Sequence, residues 1–177
     1  MLFSQGLYVS VLFTTADSRN LLTRMRQFAG DYRGDYGYEI PVNVLAEKVS
    51  EVAQMYTQHA YMRPLCVVTL LFTFDDERGP QLFKIDPAGY FVGFRAAATG
   101  EKEQSAVNNL EREFKKNRDL SIDDSIRCAI KTLQTTLSTE FRNTDIEIAL
   151  VTKDESNVKI LSPEEIEREL AKVGESD

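Results

Sequence analysis

Tryptophan is absent from this 177-residue sequence, histidine occurs once, at His59, and cysteine twice, at Cys66 and Cys128. The two cysteines lie far apart without CxxC spacing, and a four-ligand zinc site would have to recruit carboxylates from scattered positions, so no metal is expected. They read as small buried thiols, and His59 as a surface or packed imidazole. No Asn-x-Ser/Thr acceptor occurs, in keeping with a reducing, intracellular setting. Positive charge is scarce: Lys+Arg number 21 against 28 Asp+Glu, a formal net charge of −7. Such a chain repels duplex phosphates, and no nucleic-acid partner is expected. Nor does any apolar run reach the ~20 residues that span a bilayer, so no membrane partner is expected either. Residues 1–16 carry no charge and offer Thr14-x-Ala16 as a small-residue cleavage pattern. They lack a basic n-region and are interrupted by Gln5 and Gly6, which favours a buried strand over a signal peptide.

What is present is the composition of one ordinary globular domain, 42% hydrophobic and 28% charged. A chain of this length can bury roughly 70% of its unfolded surface. Leu7 to Phe13 is β-branched and aromatic and reads as a strand, with Thr15-Ala16-Asp17 capping the helix that follows. In that helix Leu21, Leu22, Met25 and Phe28 recur at helical spacing, and Gly30, Gly34 and Gly37 are expected to end it. Pro41 suits the first turn of a second helix with a Leu45, Val49, Val52, Tyr56 stripe, closed by Pro64. Strand signals follow at Leu65 to Phe74, Gln81 to Ile85 and Tyr90 to Ala97. They are joined by Asp76-Glu77-Arg78-Gly79 and Asp86-Pro87-Ala88-Gly89, a meander.

Beyond Gly100, Val107, Leu110 and Phe114 mark a charged amphipathic helix. Ser121-x-x-Asp124 resembles a capping box, opening a helix whose Ile122, Ile126, Ala129, Ile130, Leu133 and Leu137 are expected to face inward. A strand at Ile146 to Thr152 and an extended piece at Val158 to Leu161 precede Ser162-Pro163-Glu164-Glu165, which starts a helix reaching about Lys172. Five helices and about five strands in this order suggest a sheet core with helices on its faces, rather than a parallel βαβ array.

Little in the pattern carries chemistry. Pairing His59 with Cys128 as base and nucleophile has no support from spacing. Asp75-Asp76-Glu77 and Glu164-Glu165 read as solvated acidic segments rather than general acid/base pairs. The glycines at 30, 34 and 37 lack the Lys-Ser/Thr of a phosphate loop, and Arg33-Gly34-Asp35 is too short a pattern to imply integrin binding. Arg112, Lys115, Lys116 and Arg118 form a basic cluster, but interleaved Glu111 and Glu113 make it a solvated helix face. No catalytic, cofactor-binding or metal-binding residue is assigned.

Several segments taken together resemble the α-type subunits of the eukaryotic proteasome core particle. Thr15-Ala16-Asp17-Ser18-Arg19 resembles that family's TADSR, and Tyr36-Gly37-Tyr38-Glu39-Ile40-Pro41 its YGYEIP. Tyr56-Thr57-Gln58 with Met62-Arg63-Pro64-Leu65 resembles YTQ and MRPL. Gly79-Pro80-Gln81, Asp86-Pro87-Ala88-Gly89-Tyr90 and Gly93-Phe94 are similar to its GPQ, DPAGY and GF. YGYEIP, YTQ and MRPL point to the branch called alpha type-6. The resemblance implies an α+β, four-layer α-β-β-α sandwich of the N-terminal nucleophile hydrolase class, as a single domain over 1–177. It further implies a non-catalytic, cofactor-free ring subunit in ubiquitin-dependent protein degradation, located in cytoplasm and nucleus. The implied partners are neighbouring α subunits, β subunits, and activators or the regulatory particle.

Departures accompany the matches. The family carries an N-terminal helix and first strands before TADSR, where this sequence has Met1 to Thr14. Phe13 and Thr14 stand where the family usually has Gly and Met, and Cys66 stands where it has glycine. The chain therefore reads as an α subunit truncated at its N-terminus, or a short paralogue, with open sheet edges and an uncovered apolar face. Two alternatives remain: a free-standing protein-binding module, and a threonine hydrolase processed near Thr14 or Thr15. For the latter, Asp31 stands at the supporting acid's separation from Thr15, but Glu47 takes the lysine's place and Lys48 is one residue off; from Thr14 the positions are Gly30 and Ala46.

Overall fold

The computed structural model describes residues 2–4, 7–12, 15–75, 77–153 and 158–174. The elements run β1 (Leu2–Ser4), β2 (Leu7–Leu12), α1 (Thr15–Tyr36), α2 (Val42–Gln58), β3 (Val68–Asp75), β4 (Gly79–Ile85) and β5 (Phe91–Gly93). Then come α3 (Glu103–Lys116), α4 (Ile122–Leu137), β6 (Ala149–Leu150), β7 (Lys159–Ile160) and α5 (Pro163–Gly174). They form two compact units, residues 1–95 with 151–158, and residues 96–150 with 159–177.

The first unit is an antiparallel sheet in the order β1-β2-β3-β4-β5. Every neighbour in the sheet is a neighbour in sequence, as the meander expectation requires, and the β1–β2 pairing adds a strand the sequence pattern did not mark. Helix α2 lies on β3, β4 and β5, and α1 packs against α2. Alternation along β3 aims Thr69 and Leu71 into the core while Leu70, Phe72 and Phe74 stay half-buried. Leu71, Ile85, Leu45, Val49 and Met25 meet in one apolar cluster, all at most 1% exposed. The α2 stripe is as expected, Tyr56 being half-buried at its end.

Several boundaries differ from expectation. Helix α1 runs through Gly30 and Gly34 and stops at Gly37, whose φ of +80° and amide bond to the Arg33 carbonyl (2.9 Å) close the last turn. Both inner glycines are on the exposed side, where their cost of about 1 kcal/mol each is outweighed by burial of Leu21, Leu22, Met25 and Ala29. Helix α2 begins one residue after Pro41 and ends at Gln58, well before Pro64. Strand β5 covers only Phe91–Gly93 of the expected Tyr90 to Ala97, since its pairing with β4 ends after the Phe94 amide bonds the Leu82 carbonyl (2.8 Å).

In the second unit, α4 packs on α3 and α5. Ser121 Oγ accepts the Asp124 amide (3.1 Å) and donates to the Asp124 carboxylate (2.6 Å). At Ser162 the box is reciprocal: its Oγ accepts the Glu165 amide (3.3 Å) and its own amide donates to Glu165 Oε2 (2.8 Å). Of the residues expected to face inward on α4, Ile126 and Ile130 are buried, whereas Ile122, Ala129, Leu133 and Leu137 are exposed. Thr132 and Thr136 are buried instead, and α3 and the residue before it hold Thr136. Asn109 Nδ2 donates to Thr136 Oγ1 (3.5 Å) and Lys102 Nζ to the Thr136 carbonyl (3.0 Å). Strand β6 spans two residues rather than the expected seven, limited by its two-residue partner β7. Ile146 and Ile148 instead pack beside Ile126, Ile130 and Val173.

The β4–β5 turn approaches α2 closely at Gly89. Asp86 Oδ1 accepts the amides of Ala88 (3.0 Å) and Tyr90 (2.9 Å), and the Asp86 carbonyl accepts the Gly89 amide (3.0 Å). Gly89 has φ +84°, and a Cβ there would lie 2.5 Å from Gln54 Cγ and 2.8 Å from the Ser50 carbonyl oxygen. Gly89→Ala is expected to lower the free energy of unfolding by roughly 2–4 kcal/mol, combining backbone strain with overpacking. Gly34→Ala, with open space around its Cβ position, should raise it by about 0.5–1 kcal/mol. Urea denaturation of the two variants beside the parent checks both signs.

Candidate functional site

The motif residues converge on fastenings between helices and sheet. Asp17, in the first turn of α1, is buried and accepts a two-pronged bond from Arg63: Nη1 to Oδ2 at 2.8 Å and Nη2 to Oδ1 at 2.9 Å. The TADSR-like and MRPL-like segments are thus joined by one ion pair, which also ties the chain entering β3 to the start of α1. The Arg63 hydrogen bonds and charge, with the Cys66 amide, hold the Asp17 carboxyl below its ordinary value against the opposing effect of burial. Arg24 Nη2 donates to Tyr56 Oη (3.1 Å) and its guanidinium lies 5.6 Å from that ring's centroid, tying α1 to the YTQ-like segment.

The YGYEIP-like segment forms the α1–α2 corner. Tyr32 and Tyr38 share a hydroxyl–hydroxyl bond of 2.8 Å, and the rings of Tyr32, Tyr36 and Tyr38 stack within 6.2 Å of one another. The Tyr38 hydrogen bond, followed by desolvation, leaves the Tyr32 hydroxyl pushed up to about 12. Arg33 pairs with Glu39 (2.8 Å), and Arg33-Gly34-Asp35 is helical. The DPAGY-like turn is seated on α2 through the Gly89 carbonyl, which accepts from buried Ser50 Oγ and from Gln54 Nε2 at 3.5 Å.

The residues weighed for catalysis are dispersed. Thr15 is the first residue of α1 rather than of a strand, and Asp31, Glu47 and Lys48 are exposed on α1 and α2. Lys48 pairs with Glu51 (2.9 Å), which raises its pKa. Phe13, Thr14 and Asp76 lie outside the described residues. Asp75 Oδ1 accepts the amides of Glu77 (2.9 Å) and Arg78 (2.7 Å), a turn-capping task. His59 Nδ1 bonds the Met55 carbonyl oxygen at 2.8 Å and its ring meets Tyr61 edge-on. Cys66 is exposed, contrary to expectation, because alternation in the extended chain buries its neighbours Leu65 and Val67 instead. Cys128 is half-buried, and burial pushes its thiol pKa up, the opposite of an activated nucleophile. Among the described residues no group of His, Cys, Asp and Glu is placed to hold a metal, and no helix is long and apolar enough to cross a membrane.

In the second unit the basic cluster is partly neutralised, Lys115 by Glu111 (3.8 Å) and Lys116 by Glu113 (2.7 Å). Between α3 and α4 opens a groove of about 490 Å³ whose lining includes Asn109, Arg112, Arg127, Cys128 and Lys131. The sequence pattern did not mark it, since its residues belong to two helices and only the i, i+3, i+4 spacing of Asn109, Arg112 and Glu113 hints at a shared polar face.

A sheet with α2 laid on it and α1 packed on α2, its motif residues fastening helices to strands, is the arrangement of the first unit. The family model for proteasome subunits matches residues 5–151, and the chain belongs to that family. The relatives are of the α type. A probable proteasome subunit alpha type-1 of Schizosaccharomyces pombe is 38% identical over 175 residues, covering 98% of this chain and 71% of that protein. A proteasome subunit alpha type-6 of Caenorhabditis elegans is 33% identical over 174 residues with the same two coverages. A proteasome subunit alpha of Methanocaldococcus jannaschii is 32% identical over 158 residues, 89% of this chain and 59% of that protein.

Because the Asp17 carboxyl titrates lower folded than unfolded, its stabilisation is complete above its ordinary value of 3.8 and is lost as pH falls through the depressed folded value. Urea midpoints of the parent and Asp17→Asn are therefore expected to differ by a constant margin from neutral pH to about pH 5 and to converge in strong acid. A margin that persists unchanged at pH 2 would contradict the ion-pair account.

Proposed function

We propose that this chain is a non-catalytic structural subunit of the α ring of the 20S proteasome core particle. The observation that supports it best is a likeness to α-type subunits extending over 98% of the chain. The position of Thr15 at the start of a helix, and of Asp31 and Lys48 at exposed helical positions, agrees with a subunit that does not cleave peptides. In this reading the two units are parts of one four-layer α-β-β-α domain. The subunit contacts neighbouring α subunits and the β ring, contributes to docking of activators or the regulatory particle, and serves ubiquitin-dependent degradation in cytoplasm and nucleus. The YGYEIP, YTQ and MRPL resemblances favour the alpha type-6 branch.

Native mass spectrometry of the endogenous protein tests the assignment. The expected result is a polypeptide containing this sequence ejected from a particle of two α and two β rings. Recovery only as a free chain would overturn it. Substituting Thr14 and Thr15 together by Ala should leave the peptidase activity of that particle unchanged, whereas loss of one cleavage specificity would favour a threonine hydrolase.

A further inference from the structure

The core-facing stripe of α1 runs past its cover. Leu22, Met25 and Ala29 are buried, and Tyr32, on the same helix face, still packs against their cluster. One turn further on, Tyr36 continues the stripe but is 62% exposed, and Tyr38, just beyond the bend at Gly37, is 55% exposed. The three rings are nevertheless held in place. Tyr32 and Tyr36 lie 4.4 Å apart between centroids, Tyr38 meets Tyr32 edge-on at 5.4 Å, and the Tyr32–Tyr38 hydroxyl bond of 2.8 Å fixes the corner. An exposed aromatic platform that needs little further ordering on binding is a surface of the kind enriched at protein–protein contacts. Charge is unbalanced beside it. Asp31 and Asp35 are exposed one turn apart on α1, and Asp35 borders Tyr32 at i+3. Among the described residues neither has an ion-pair partner, and the cation between them in sequence, Arg33, is taken by Glu39 at 2.8 Å. Like charges at i and i+4 repel, and a carboxylate in the last turn of a helix, as Asp35 is, opposes the helix dipole. A cation arriving from outside relieves both effects.

We propose that the Tyr36–Tyr38 corner is a docking surface for another protein, which presents an arginine over the tyrosine rings and beside the Asp31–Asp35 pair. An arginine suits the corner because its guanidinium stacks flat on an aromatic face while its fork of donors bonds a carboxylate. Lysine brings a point charge without the flat face, and an acidic segment would add to the repulsion already present between Asp31 and Asp35. The proposal is independent of the subunit assignment, since it rests on the α1–α2 corner alone.

The ring-carbon NMR signals of the tyrosines in the full chain report the surface directly. The probe is a blocked Gly-Arg-Gly-Arg-Gly peptide, with its lysine and glutamate counterparts titrated beside it at matched ionic strength. The expected result is a saturable shift at Tyr36 and Tyr38 with the arginine peptide, roughly threefold weaker binding of the lysine peptide and none of the glutamate peptide. Tyr36→Phe, read at Tyr38, should keep the affinity because the ring carries the contact, whereas Tyr36→Leu should lower it roughly threefold. Asp31→Asn combined with Asp35→Asn should lower it by about the same factor. All three positions are exposed, so the variants retain the parent's core. Absence of a saturable shift with the arginine peptide, equal affinity for the lysine or glutamate peptide, or affinity unchanged in both the Tyr36→Leu and the paired Asp variants overturns the proposal.

Discussion

The first unit depends on the carbonyl of Gly89 meeting the side chains of α2. That contact requires a turn that can approach a helix more closely than any side chain would allow. It requires a positive φ at the point of approach, and an aspartate that draws the turn's amides inward so that the carbonyl faces out. Asp86, Pro87 and Gly89 meet these needs separately. Their position at the β4–β5 junction fixes the sheet against α2, and through Leu45 and Val49 it fixes where the α1 residue Met25 can pack. Ser50 completes the joint from the other side: a hydroxyl on a buried helix face is costly unless it has a partner, and the Gly89 carbonyl supplies one.

Asp17–Arg63 and Arg24–Tyr56 extend the same logic to α1. Each links a residue of α1 to a motif residue distant in sequence. The motifs of this family are, in this chain, a set of mutually dependent joints. This explains why its chemistry-bearing side chains show so little sign of an active centre. Lys48, His59 and Asp75 are each satisfied within their own element or turn, which leaves them neither poised nor exposed to a shared cavity.

Periodicity together with capping and turn residues was sufficient to place every helix and the β3-β4-β5 meander, and the burial of Leu45, Val49, Leu71 and Ile85 follows the helical and strand repeats. It misjudged ends and faces where local preference was overridden. Gly30 and Gly34 fell inside α1 because tertiary burial outweighs two glycines. Leu133 and Leu137 are exposed while Thr136, held by Asn109 of α3 and by Lys102, is buried, which an apolar pattern does not register. The ion pair of Asp17 with Arg63 was invisible for a different reason: partners so far apart in sequence become neighbours only once α1, α2 and β3 are assembled. The α3–α4 groove is likewise a property of two packed helices, and no single segment encodes it.

Hydrogen exchange of the Gly89 and Tyr90 amides, followed beside amides in the middle of α2, tests the seating of the turn most directly. If the turn and the helix form one cooperative joint, both sets exchange on the same slow timescale and lose protection together as urea is added. Fast exchange at Gly89 and Tyr90 beneath a fully protected α2 would show the turn to be a passive connection, and would contradict the account.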